Sequence, residues 1–183
     1  VLMPGRLTSW KGQELFIEAV NLVKIELGYE AFHVVILGSE QGRDLYKKKL
    51  VSLTEKYRLT NQIKFINNCN DMALAYKVSD IIISASIEPE AFGRVAVEAQ
   101  SMQKLIIASN IGGSNETIVD GKTGILFESG DAGSLCKKII QAITMDESTI
   151  QLIGKEGRKN IIKKFNVEKM CFSTYSEYKR LLN

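Results

Sequence analysis

Two carboxylates and two cations stand out by type and spacing. Glu90 and Glu98 lie eight positions apart in the run Glu90-Ala91-Phe92-Gly93-Arg94-Val95-Ala96-Val97-Glu98. Arg6 and Lys11 sit in a glycine-bounded segment, Gly5-Arg6-Leu7-Thr8-Ser9-Trp10-Lys11-Gly12. Arginine and lysine give charge-assisted hydrogen bonds to phosphate oxygens, and ionised carboxylates accept from hydroxyls. The set suits a ligand that carries both phosphates and hydroxyls. Each group also has a plain structural explanation. Arg6 and Lys11 fit an ordinary surface loop, and Glu90 fits a solvated one. Glu98 is flanked by Val95, Ala96, Val97 and Ala99. That predicts a helix buried on most sides, where a carboxylate needs partners. Either ligand hydroxyls or an internal ion pair would supply them.

The surrounding pattern says what must position these groups. An apolar run over 80–86 precedes Glu90, so the order there is strand, loop, helix. Loops that follow strands in an open α/β sheet are where ligands bind. Further continuous apolar runs cover 32–38, 63–66, 105–108 and 124–127, and Val1-Leu2-Met3 reads as another strand. Continuous rather than alternating apolarity fits strands covered on both faces. Helical spacing appears over 13–27, where Phe16, Ala19, Val20, Val23 and Leu27 share a face. It recurs over 43–57, 71–78 (with Met72, Ala75 and Tyr76), 94–102, 133–143, 148–165 and 167–182. Strand–helix alternation predicts a doubly wound parallel α/β sheet, Rossmann-like, in one domain over 1–183. Its core would span about 1–145, with C-terminal helices over 146–183. A chain that opens directly on a strand also predicts that an N-terminal half precedes it. Phe92 and Gly93 fall at a helix mouth, where backbone amides face a ligand. Gly112-Gly113-Ser114-Asn115-Glu116 reads as another ligand-facing loop, or as a capping turn with Ser114 as N-cap.

Composition narrows the classes. The 183 residues are 45% hydrophobic and 25% charged, as in an ordinary globular domain. No apolar run approaches the ~18 residues of a membrane span. Three scattered cysteines, Cys69, Cys136 and Cys171, suggest a reducing cytosol rather than a disulfide framework. The net charge of +3 is uneven: residues 155–183 hold eight basic and three acidic side chains, leaving 16 basic against 18 acidic elsewhere. A nucleic-acid binder wants its basic stripe on the binding face, so that class is disfavoured. The basic tail is a solvated helix face or a contact for an anionic membrane surface. There is no Gly-x-Gly, no complete P-loop before Gly121-Lys122-Thr123 and no Asp-x-Asp pair. With one histidine, His33, a transition-metal site or a Ser/His/Asp triad is not expected.

These residues together resemble the C-terminal, donor-binding domain of retaining glycosyltransferases of GT-B fold, family 4, the group 1 glycosyl transferases. Gly5-Arg6-Leu7 with Lys11-Gly12 is similar to the family's phosphate loop. Glu90 and Glu98 are similar to its pair of glutamates separated by seven residues, with Phe92-Gly93 between them. Ile111-Gly112-Gly113, Glu116 and Gly121-x-x-Gly124 complete the likeness. The resemblance implies that Arg6 and Lys11 bind the donor diphosphate and stabilise it as a leaving group. It implies that Glu98 holds the ribose and that Glu90 faces the donor sugar as a catalytic group. Gly5, Phe92, Gly93, Arg94, Gly112 and Gly113 would line the donor site. Asn67, Asn68 and Met72 would lie beside the base, although the family often has glycine where Asn67-Asn68 stands. It further implies a nucleotide-diphosphate sugar as donor, no cofactor and no metal. The acceptor, a glycan, lipid or lipopolysaccharide precursor, would be held by an N-terminal domain. A cytoplasmic enzyme, peripheral at the inner face of the membrane, would result, with this fragment alone inactive. A non-catalytic nucleotide-sugar-binding module is the other reading, or a GT-B relative such as an epimerase or phosphorylase.

Overall fold

The computed structural model describes residues 1–28 and 32–182. Among them, six strands form one parallel sheet: β1 (Leu2–Pro4), β2 (Val34–Leu37), β3 (Ile63–Ile66), β4 (Ile81–Ser84), β5 (Leu105–Ser109) and β6 (Ile125–Phe127). The order is β3-β2-β1-β4-β5-β6. Strand order therefore reverses between β1 and β4, the doubly wound arrangement that the apolar runs predict. Successive residues in a strand point to opposite faces, and both faces are covered here except along the edge strand β3, where Lys64 and Ile66 are exposed. Met3, Ile36, Ile83 and Ile107 join a core with Phe16, Val20, Leu135 and Ile139. Leu2, Ile82, Ile106 and Ala108 join a second core with Tyr76, Ala96 and Ala99. Two cores are the reason the strands read as continuous apolar runs.

The first core lies under α1 (Gln13–Leu27), α2 (Asp44–Lys56) and α6 (Ala132–Thr144). The second lies under α3 (Met72–Lys77) and α4 (Arg94–Ser101). Helix α3 has only six residues, too few to be stable alone. The Leu74 amide donates to Asp71 Oδ1 at 2.9 Å, capping its start, and the buried Tyr76 ring fastens it to the sheet. The segment that begins with Ser114 differs from expectation. It forms a one-turn helix, α5 (Ser114–Thr117), whose N-cap position is Gly113; Ser114 lies inside it and makes no side-chain cap.

One glycine is required at the strand reversal. Gly12 has φ +76, and a Cβ there would stand 1.9 Å from the Ala85 carbonyl oxygen. Only a residue without a side chain allows the loop after β1 to cross the end of β4 this closely.

Helix α7 (Glu147–Lys164) packs on α4 and β5. A Cβ on Gly154 would meet the Gln103 carbonyl oxygen at 2.2 Å. Helix α8 (Val167–Leu182) has no buried residue. Its Val167, Met170, Phe172, Tyr175 and Leu181 are all exposed beside the basic side chains, so the tail is more apolar on its surface than a purely solvated charged face. No helix among the described residues is long and apolar enough to cross a membrane.

Gly154 lies away from the strand reversal, so its contact tests packing alone. Gly154→Ala should destabilise the protein by about 1–3 kcal/mol, as overpacking does. The check is a urea titration, which should show a lower midpoint at unchanged slope.

Candidate functional site

A cavity of about 580 Å³ opens over the carboxyl ends of β1 to β4. That volume falls in the range of small-molecule sites, and the position is the switch point where open α/β sheets bind ligands. Gly5, Arg6 and Lys11 line it from the β1 loop, Glu90, Phe92 and Gly93 from the β4 loop, and Arg94 from the first position of α4. Glu98 lines it from α4, and Asn67, Asn68 and Met72 from the segment after β3. The structure thus brings together residues that the sequence spreads over more than ninety positions. Helix α4 starts at this wall; the Ala96 and Val97 amides donate to the Gly93 carbonyl, and the first two amides, of Arg94 and Val95, have no intrahelical acceptor. Its positive end favours an anion there.

The β1 and β4 loops are tied to each other. The Ile87 amide donates to the Trp10 carbonyl at 2.8 Å. Lys11 Nζ lies 2.8 Å from Glu90 Oε1, with both side chains mostly buried. The Ser86 hydroxyl donates to the same carboxylate oxygen. Lys11 Nζ also lies 4.5 Å from the centre of the Trp10 ring, a cation–π contact. Sequence alone suggests neither the Lys11–Glu90 pair nor Ser86. A lysine ammonium has three donors. One serves Glu90, which leaves donors for an anion in the cavity. Arg6 is exposed and forms no ion pair with another described residue.

Glu98 is not as enclosed as its apolar neighbours predict. Its side chain is 34% exposed, because the helix turns that edge to the cavity. Tyr76 donates its hydroxyl to Oε2 at 2.8 Å, and Arg94 donates to Oε1 at 2.8 Å. The two bonds differ in kind. Tyr76 is 2% exposed, whereas the Arg94 side chain is 83% exposed. An exposed pair four residues apart on a helix contributes only ~0.3–0.5 kcal/mol, so Arg94 does not lock Glu98 against a ligand. Burial, and then the Glu98 carboxylate, push the Tyr76 phenol well above its ordinary value of 10.0. It therefore stays protonated and donates.

Gly112 and Gly113 stand elsewhere than a ligand-facing loop would put them. The Gly113 amide donates to the Glu90 carbonyl at 2.7 Å. A Cβ on Gly113 would stand 2.6 Å from the Phe92 carbonyl carbon, and one on Gly112 2.7 Å from the Glu90 carbonyl oxygen. They support the turn of Glu90 to Gly93 from behind and are not part of the cavity wall. From the other side, Phe92 meets Phe165 edge to face, with ring centres 5.6 Å apart. Tyr76 is the residue that sequence reasoning passes over, since it counts there as one apolar position of a short helix. The signal is its hydroxyl, which needs a partner when the ring is buried. Among the described residues no group of three or more His, Cys, Asp or Glu is placed to share a metal.

Residues 1–164 match the family described as glycosyl transferases group 1. The chain belongs to that family. The capsular polysaccharide biosynthesis glycosyltransferase CapM of Staphylococcus aureus is 28% identical over 178 residues, which are 97% of this chain and 45% of CapM. A glycosyltransferase from Rickettsia africae superposes with a TM-score of 0.92 at 36% identity, over 100% of this chain and 47% of its own. Anabaena HepE, solved in complex with UDP and glucose, superposes with a TM-score of 0.88 at 25% identity, over 98% of this chain and 48% of its own. This group 1 chain is thus a Rossmann-like half of a GT-B fold, and it spans about half the length of the curated relatives it matches.

The Tyr76 environment has a consequence in alkali. Above about pH 10 the phenol ionises in the unfolded chain but not in the folded one. The unfolded state then binds fewer protons, so the contribution of Tyr76 to stability is complete below pH 10 and is lost as the pH rises beyond it. Melting temperatures measured from pH 8 to 11 should fall less steeply for Tyr76→Phe than for the parent protein.

Proposed function

We propose that this domain binds a nucleoside-diphosphate sugar and, with the remainder of a longer enzyme, transfers the glycosyl group to an acceptor with retention of configuration. One observation carries the reading. Arg6, Lys11, Glu90, Glu98 and the segment of Asn67 to Met72 share one cavity at the strand reversal. The base lies along Asn67, Asn68 and Met72, and the ribose hydroxyls donate to Glu98. The diphosphate lies between Arg6 and Lys11, over the start of α4. The sugar lies by Glu90 and the Phe92–Gly93 turn. HepE was solved with UDP bound, which supports uridine as the first base to test.

The chemistry follows from charge. The bond from the anomeric carbon to the diphosphate oxygen breaks, and its electron pair stays on the diphosphate. A bond from the acceptor oxygen to the anomeric carbon forms, and the acceptor's proton leaves on the departing phosphate. Negative charge grows on the leaving group in the transition state. Arg6 and Lys11 are in place before it forms, and Lys11 is held there by Glu90 and the Trp10 ring. Cations aimed at developing charge stabilise the transition state more than the ground state. Glu90 therefore has two roles: it holds Lys11 in place and stands beside the sugar. The acceptor belongs to the part of the protein beyond this domain. A cell-envelope glycan or lipid, reached by a cytoplasmic enzyme that rests on the membrane, is supported by the capsular relative and the exposed apolar residues of α8.

In the full-length enzyme, Arg6→Ala or Lys11→Ala should each lower turnover by ~100-fold or more, as loss of one oxyanion donor does. Near-parental activity of the double variant would overturn the leaving-group assignment. The anomeric configuration of the product, read by NMR, tests retention separately. Glu98→Gln should weaken UDP binding in calorimetry; an unchanged affinity would return Glu98 to a structural ion pair.

A further inference from the structure

The two oxygens of Glu98 are held unequally. Oε2 accepts from a phenol that is 2% exposed and anchored in the core under α3 and α4. Oε1 accepts from Arg94, whose side chain is 83% exposed and free to turn into solvent. Tyr76 and Glu98 both line the cavity, so the phenol meets the carboxylate at the cavity wall. The ring of Tyr76 fills its place in the core without need of a hydroxyl. The hydroxyl adds one thing, a fixed orientation for the carboxylate.

We propose that Tyr76 is the positioning residue of the ribose site: it fixes Glu98 through Oε2 and leaves Oε1 for the ribose hydroxyls, which replace Arg94. The proposal rests on the reading of Glu98 as the ribose acceptor. A glutamate has freely rotating bonds, and freezing them on binding costs affinity. The phenol freezes them beforehand. Tyr76 stands at the far end of the short helix that follows the base segment, and Asp71 caps that helix at 2.9 Å. Met72 beside the base and Tyr76, which holds the acceptor of the ribose, thereby belong to one capped helix. The expected result is selectivity: the phenol should strengthen binding of a ribonucleotide and leave a nucleotide without ribose hydroxyls almost untouched. Packing alone would affect both alike.

The test is calorimetry of the full-length protein with UDP and with 2′,3′-dideoxy-UDP, for the parent, Tyr76→Phe, Glu98→Gln and the double variant. Tyr76→Phe keeps the ring, and its melting curve reports on folding. UDP should bind about tenfold more weakly to Tyr76→Phe, the scale of one hydrogen bond to a charged group. The dideoxy nucleotide should change by less than about twofold. The double variant should bind UDP no more weakly than Glu98→Gln, because Tyr76 acts through Glu98. Equal weakening of both nucleotides, or of neither, overturns the role of Tyr76. If Glu98→Gln discriminates between the nucleotides and Tyr76→Phe does not, the ribose reading stands and this proposal alone falls. If the parent protein shows no preference for UDP over the dideoxy form, both fall. Should Tyr76→Phe fail to fold, the same comparison with 3-fluorotyrosine at position 76 must keep the preference for UDP, and its loss there overturns the proposal.

Discussion

Lys11 and Glu90 come from opposite sides of the point where strand order reverses, and their 2.8 Å ion pair exists only because two loops can touch there. That contact depends on Gly12, where any Cβ would collide with the Ala85 carbonyl oxygen. Trp10 adds a backbone bond to Ile87 across the same gap. Without this approach the cations of the β1 loop and the carboxylate of the β4 loop would belong to separate surfaces. Burial makes the pair consequential. Two charges taken out of water must satisfy each other, and removal of one leaves the other exposed to the full cost of desolvation. The Ser86 hydroxyl shares that burden at Glu90.

The acid–base balance of the cavity follows. Glu90 offsets Lys11 and Glu98 offsets Arg94, in a mostly buried pair and a surface pair. Arg6 remains as the positive charge with no ion pair among the described residues. In the proposed reading, an incoming diphosphate meets one open cation, one cation with donors to spare and the positive end of α4. The ribose acceptor, in the proposed reading, is reached by displacing the weaker of two partners. The same cavity holds a strong hydrogen-bond framework on its inner side and a loose one on its outer side.

Much of this is legible in the order of residues. The strands announce themselves because a sheet covered on both faces leaves no polar alternation, and α1 buries Phe16, Ala19, Val20 and Val23 of its apolar spacing, while Leu27 at its end is exposed. Arg6, Lys11, Glu90 and Glu98 are visible as chemistry because their types suit phosphates and hydroxyls. What the sequence does not carry is pairing across distance. Tyr76 and Glu98 are twenty-two positions apart, and nothing local in either says that one faces the other. Glu98 looks enclosed because its neighbours are apolar, yet a helix has sides, and that residue falls on the edge toward the cavity. Gly112 and Gly113 look like ligand contacts because their segment reads as another ligand-facing loop. Their close approach is to the backbone of Glu90 and Phe92 instead. A one-turn helix such as α5 is too short to leave a periodic trace.

The edge-to-face contact of Phe92 and Phe165 crosses a boundary that the family likeness draws. The match to the group 1 family model covers residues 1–164 and stops one position before the ring that rests on the cavity turn, although relatives such as CapM align beyond it. For anyone assembling hybrid enzymes from relatives, the natural seam after α7 is therefore misplaced. A graft made there would import a foreign side chain beneath Phe92, and the exchanged tail would be felt at the wall of the cavity. A seam moved beyond Phe165 keeps the aromatic pair within one parent and lets α8 be exchanged as a unit.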